Sequence, residues 1–461
     1  MKDLLAIVDA VNGVLWDKDI LLLLLVGTGI WYSFQLKFIQ VRGFTEGLKE
    51  TFGGIFSKRT AAGKDGMSQF QALATAVAAQ VGTGNIAGAA TAIASGGPGA
   101  IFWMWISAFF GMATIFAEAT MAQKYKQIDK DGSVTGGPVY YIRGAFQGSF
   151  GKALAVIFAV CIIFALGFMG NAVQSNSIAD AFRVAFGWNP MYVGIVLAVL
   201  AYAIFSGGIA RIAKVTETVV PLMAVLYILG ALGVMLMDIS NVPLVFKEIV
   251  IGAFEPHAIA GGVAGATVKM AIRKGVARGL FSNEAGMGST PHAHAVARVD
   301  HPCQQGLVAM IGVFIDTFVV LNMTAFVIIV SRSVTPDGSL TGAALAQAGF
   351  SSVYGKGGDI FLAICMFFFA FSTIIGWYFF GEANVRYLFG AKAIKLYSLF
   401  VCVCVFLGTL GKVEVVWNMS DMFNGLMVIP NLIGLLALTK ATKALEKDFY
   451  SNFKNRAKEL K

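Results

Sequence analysis

Apolar residues in this chain come in long, nearly unbroken runs rather than in the one-sided or alternating patterns of a soluble protein. A helix rises 1.5 Å per residue, so about 20 apolar residues cross about 30 Å of hydrocarbon. Eleven segments predict such spans, near residues 19–36, 68–95, 99–123, 152–182, 190–207, 212–237, 262–290, 303–331, 358–383, 392–411 and 417–439. Backbone N–H and C=O groups in lipid must be satisfied within the segment, which selects helix. The expected fold is therefore an all-α polytopic membrane protein with about 11 transmembrane helices. The seventh segment fits least well, because Lys269, Arg273, Lys274 and Arg278 interrupt it.

Composition agrees. The chain is 57% hydrophobic and 13% charged, where a soluble protein carries about 25% charged residues. No small-residue cleavage site follows the first apolar run, so it reads as a span rather than a signal peptide. Most of the 35 Lys and Arg residues fall in alternate connecting segments and in the tail 440–461. Basic residues mark the cytoplasmic side. That pattern predicts a multi-pass protein of the cell membrane, amino terminus outside and carboxyl terminus in the cytoplasm. It also turns the net charge of +9 away from nucleic acid and toward the bilayer. The tail reads as a solvated basic end. The segment 132–147, with Pro138, Tyr140 and Tyr141, reads as a short helix with aromatics at the headgroup level.

Two places break the helical pattern. Val81-Gly82-Thr83-Gly84-Asn85-Ile86-Ala87-Gly88 lies inside the second span, and Ser282-Asn283-Glu284-Ala285-Gly286-Met287-Gly288 inside the seventh. Both contain Asn-x-Ala-Gly. Each glycine costs a helix about 1 kcal/mol relative to alanine. Unwinding in a membrane is tolerated where the freed backbone faces protein or a wet cavity. With the first span set aside, the breaks open two blocks of five. An odd number makes the second block enter from the opposite side, the geometry of an inverted repeat with its site between the broken helices. The predicted organisation is one transporter domain over 1–461: an extra helix at 19–36, a first repeat at 68–237, a second at 257–439 and the tail.

The breaks suit a small zwitterion. Half-helix amino ends present free N–H groups to a carboxylate. Carboxyl ends present carbonyl oxygens to an ammonium group or a bare cation. Gly82, Thr83, Gly84, Asn85 and Gly88 form the first candidate set, with close helix packing through small residues as the plainer reading. Phe281, Ser282, Asn283 and Gly286 form the second, Phe281 as a wall. Gln174, mid-span beside Asn171, is either a substrate contact or glue between helices. Trp377 either caps the pocket or sits at an interface. The acids nearest the spans are Glu118, Glu217, Glu284, Asp316 and Glu382, and intramembrane carboxylates are functional hypotheses. Glu284 reads either as an ion site or as a partner of Arg273 or Arg278.

Other classes fit poorly. No selectivity-filter motif or charged ring marks an ion channel, the competing class. No nucleophile–base set, metal spacing or Walker loop appears. His292, His294 and His301 lack the spacing of a metal site and read as a cytoplasmic loop. The five cysteines form no CxxC pair and read as small buried hydrophobes.

The residues resemble the alanine/glycine:cation symporter family, within the group of LeuT-type fold. The resemblance rests on Val81-Gly82-Thr83-Gly84-Asn85, on the run from Gly96 through Trp103 and Trp105 to Gly111, on Gly136-Gly137-Pro138-Val139-Tyr140-Tyr141-Ile142, and on the run from Gly279 to Gly288. It covers nearly the whole chain. It implies sodium-driven uptake of alanine or glycine by alternating access, a five-plus-five core with two discontinuous helices, and Na⁺ without an organic cofactor. Glutamine or D-alanine as substrate, and a proton as coupling ion, stay open. By the same resemblance, Ser372 and Thr373 join the carbonyls of Ala78 and Val81 around Na⁺, and Thr373 also touches substrate. Hydroxyl and carbonyl oxygens suit a hard cation; the alternative is that each hydroxyl bonds back to its own helix.

Overall fold

The computed structural model describes residues 2–56, 66–128, 134–255, 267–335, 338–411 and 414–455. Parts of the basic loop 37–64, the start of the predicted second repeat and the end of the tail lie outside the described residues.

Every predicted span carries helix. Seven of the described helices are long and apolar enough to cross a membrane: Gly99–Tyr125, Gly148–Phe186, Gly208–Met237, Pro302–Val330, Lys356–Phe389, Ala391–Leu410 and Val415–Ala437. Pro190–Phe205 is apolar but shorter. The predicted second and seventh spans are split where their glycines fall. Outward faces are apolar: Tyr192, Leu222 and Leu229 are each more than half exposed, as lipid contact requires.

Gly99–Tyr125 runs through the centre, against Ile20–Gln35, Val268–Asn283 and Pro302–Phe314. Small residues permit this closeness. A Cβ on Gly99 would lie 2.1 Å from the Gly252 carbonyl, and one on Gly275 would lie 2.2 Å from the Ala100 oxygen. Two of the long helices widen into π turns, at Ile163–Gly170 and Ile315–Leu321. Such turns often accompany functional sites, and both adjoin the site described below.

The described chain is mostly helix, with a small antiparallel ribbon of Gln127–Ile128 and Val134–Thr135. Two expectations need correction. The helix Pro138–Ala145 exists, but Tyr141 is buried and its hydroxyl donates to Asn431, so it does not lie at a headgroup. The described tail is docked rather than solvated. Glu446 pairs with Arg42 and Lys454 with Glu46. His301 accepts from the Cys303 amide at 3.1 Å as a helix cap, and its ring packs at a tilt against Phe449 and Phe453. Burial of the His301 imidazole lowers its pKa despite Asp448 nearby.

Candidate functional site

The first break begins where Gln69–Gln80 stops. Ser68 and Gln71 cap its start reciprocally, and at Val81 the backbone leaves the helix (φ −81°, ψ 84°). The chain resumes as the π turn Gly84–Gly88 and the helix Ala89–Gly96. Asn85 replaces the lost backbone bond: its Oδ1 accepts from the Gly82 amide at 3.1 Å. The Thr83 amide donates to Gln174 Oε1 at 3.3 Å, so the structure brings Gln174 to the break. The Thr83 hydroxyl, 1% exposed, has no hydrogen-bond partner among the described residues. Gly88 faces open space.

The second break follows Val268–Asn283. Glu284 takes a left-handed conformation (φ 56°), as do Gly286 (φ 87°) and Gly288 (φ 81°). A carboxylate from another helix holds this loop: the amides of Gly286 and Gly288 donate to Glu118 at 2.9 and 3.0 Å. Asn431 Nδ2 donates to the same carboxylate at 2.6 Å. The break ends the long helix rather than dividing it evenly, since only the short helix Pro291–Ala295 follows.

The breaks meet. A Cβ on Gly84 would lie 3.3 Å from Ser282 Cα, and Gln80 Nε2 donates to the Asn283 carbonyl at 2.7 Å. Asp316, fully buried in the π turn of Pro302–Val330, joins them. Its carboxylate accepts from Asn85 Nδ2 at 2.7 Å and from Ser282 Oγ at 3.2 Å. Thr317 Oγ1 donates to it at 3.0 Å and accepts from Asn283 Nδ2 at 3.2 Å. Sequence reasoning counted Asp316 and Glu118 among the acids near spans but assigned neither a place. The signal was a carboxylate at membrane depth; its partners are more than 150 residues away for Glu118.

Ser372 and Thr373 bond back to their own helix and also reach the first broken helix. Each hydroxyl reaches the Phe369 carbonyl of its own helix, at 2.9 and 3.0 Å. Each also reaches the Ala78 carbonyl, at 3.4 and 2.9 Å. The second carbonyl at Thr373 is that of Ala79, at 3.5 Å, rather than that of Val81. Val81 lies beyond the last helical turn, where the backbone has already swung away. A Cβ on Gly82 would lie 2.4 Å from Thr373 Oγ1, so only glycine lets this hydroxyl approach the break.

Trp377 is buried, which removes the interfacial reading. Its Nε1 donates to Glu284 at 2.6 Å, and its ring lies over Gly170. Glu284 also accepts from Ser289; these are its partners in place of the expected Arg273 or Arg278. Arg273 instead pairs with Asp19 at 3.3 Å and donates to the Trp16 carbonyl. Phe281 is half-buried and lines a separate cavity of about 110 Å³ with Trp16, Arg273, Arg278 and Asp421. Asn171 bonds its own helix at Gly167. The histidines are not in an exposed loop: His292 and His294 are buried, bonded to Asn384 and Gln305. Among the described residues no group of three or more His, Cys, Asp or Glu is placed to hold a metal.

Comparison with known proteins decides the family. The whole chain, residues 1–461, matches the sequence profile of the sodium:alanine symporter family. The chain belongs to that family. The symporter is 45% identical over 460 residues to the sodium/alanine symporter AgcS of Methanococcus maripaludis, covering 99% of each chain. It is 44% identical to the probable sodium/glutamine symporter GlnT of Bacillus subtilis, over 96% of this chain and 90% of that one. It is 40% identical to the putative sodium/proton-dependent alanine carrier protein YrbD of the same organism, over 96% and 92%. In fold the symporter is similar to a manganese transporter of Eremococcus coleocola (TM-score 0.53, 12% identity, 80% of this chain and 76% of that one). The symporter is thus a multi-pass membrane protein of cation-coupled amino-acid transport.

Proposed function

We propose that the chain couples inward sodium flow to uptake of a small neutral amino acid, alanine or glycine, by alternating access. One observation carries the reading. Two interrupted helices meet at a buried carboxylate, Asp316, beside backbone amides and an unpartnered Thr83 hydroxyl. Thr83 Oγ1 is the donor offered to a substrate carboxylate, the amides of Gly82 and Thr83 being taken by Asn85 and Gln174. Gln174, Asn85, Ser282 and Asn283 shape the polar wall, and Trp377 closes it. Oxygens of Ser372, Thr373 and Ala78 form one sodium locus, with Ala79 in place of Val81. Asp316 is linked to that locus through Asn85 and Gly82, and its negative charge stabilises a desolvated cation more than neutral oxygens do.

The architecture behind this reading is eleven spans, a five-plus-five inverted repeat after one extra helix, and an outside amino terminus. The helix at each predicted span and the alternation of basic segments support it. Coupling then means that sodium and amino acid favour the same conformation of the two broken helices.

A second reading has its own support. Asp316, Glu284 and Glu118 are all buried, and carboxylates in that setting suit proton coupling. Purified protein in liposomes separates the two. Labelled alanine accumulates under an inward Na⁺ gradient at equal pH. Accumulation driven as well by a pure H⁺ gradient without Na⁺ overturns sodium coupling.

A further inference from the structure

A cavity of about 440 Å³ opens between three helices beside the first break; Met223, in its lining, accepts a hydrogen bond from Ser372. Small-molecule sites have volumes of about 300–1,000 Å³. Every residue lining this one is apolar. One wall is the first half of the broken helix, from Phe70 through Val77 to Val81; the others come from Gly208–Met237 and Pro302–Val330. Leu48 and Phe52, one turn apart on Phe44–Phe56, close one end.

The floor is sealed and the rim is open. Val77, Val81 and Val320 are at most 4% exposed, while Phe52 and Val225 at the rim are 44% and 56% exposed. The rim continues into Leu222 and Leu229, outward on the same helix and 55% and 63% exposed. In a multi-pass membrane protein that surface is the bilayer contact, so the cavity is an inlet from lipid. Its length fits as well. Phe70 to Val81 spans about 16 Å of helical rise, roughly half of the 30 Å hydrocarbon thickness. That is the depth of one leaflet. The Leu48 and Phe52 end lies on a helix that also carries Glu46, Lys49 and Glu50, an amphipathic composition suited to the headgroup level.

We infer that this cavity binds one acyl chain of a bilayer phospholipid, headgroup at Phe44–Phe56 and chain end against Val81. The inference rests on the membrane character of the chain and goes beyond the transport reading. The seated chain packs on Val77 and Val81, the last turn before the break, and on Ile315 and Val320, which flank Asp316 in sequence. It therefore braces the apolar back of the half-helix whose polar end belongs to the transport site, and any tilt of that half-helix changes the width of the cavity.

The test uses full-length protein in nanodiscs of phospholipid carrying a photoreactive diazirine. One probe has the diazirine at the chain end, the other near the headgroup. After irradiation, mass spectrometry locates the adducts. The chain-end probe is expected on Val77–Val81 and Val320, and the headgroup-proximal probe on Leu48–Phe52 and Phe70. Ala224→Trp, which fills the cavity from the wall facing the broken helix, is expected to remove the Val77–Val81 adducts and leave those on Pro190–Phe205 unchanged. Chain-end adducts confined to outward positions such as Leu222 and Leu229, or undiminished Val77–Val81 labelling in Ala224→Trp, overturn the inference. Should that variant fail to fold, the two-probe comparison on unsubstituted protein decides alone. Labelling needs no transport, so failure of sodium coupling leaves this result standing.

Discussion

At the scale of single residues, groups proposed to touch ligands differ from groups that hold the loop. Thr373 Oγ1 lies 2.9 Å from the Ala78 carbonyl and is proposed to bind sodium. Contacts to a charged group are worth about 1.5–3 kcal/mol, so Thr373→Ala is expected to raise the Na⁺ concentration for half-maximal uptake about tenfold or more. Unchanged sodium dependence removes Thr373 from the ion site. Asp316→Asn keeps size and an acceptor but removes the charge, and is expected to weaken sodium dependence at least as much. Glu118→Gln acts differently, because Glu118 holds the amides of Gly286 and Gly288. It is expected to cost about 1–3 kcal/mol of stability, read as a lower Tm in detergent, with sodium affinity retained by the folded fraction. The glycines, Thr83 and Asn85 were legible in the sequence because local chemistry marks them: glycines free the backbone, and Asn85 caps Gly82 three residues away. Asp316 and Glu118 were not legible as site residues. What defines them is partners brought from distant helices, which no local pattern encodes.

At the scale of elements, the helices followed from hydropathy and the breaks from glycine, but the shape of the second break did not. The first runs as predicted, with helix on both sides. The second turns through three left-handed positions, Glu284, Gly286 and Gly288, and is followed by the five-residue helix Pro291–Ala295. Packing between elements gives a further test. Gly99 crosses Gly252 with no room for a Cβ, so Gly99→Val is expected to cost about 1–3 kcal/mol by overpacking, seen as a lower Tm. A Tm equal to that of the unsubstituted protein contradicts this close crossing. The tail was misread for a physical reason. Its composition is that of a solvated end, and its partners Arg42 and Glu46 lie about 400 residues away.

At the scale of the molecule, the interrupted helices, the carboxylate between them and the hydroxyls of Lys356–Phe389 form one connected polar region in the interior. The central claim is that a cation and an amino acid share this region and stabilise the same state. Such coupling is reciprocal: each ligand changes the affinity of the other by one factor. The most direct measurement is equilibrium binding of labelled alanine to purified protein across a Na⁺ titration, ionic strength held constant with choline, alongside Na⁺ binding with and without alanine. The expected result is an alanine Kd that falls as Na⁺ rises, with the Na⁺ Kd falling by the same factor when alanine is present. An alanine Kd that is identical in sodium and in choline contradicts the account.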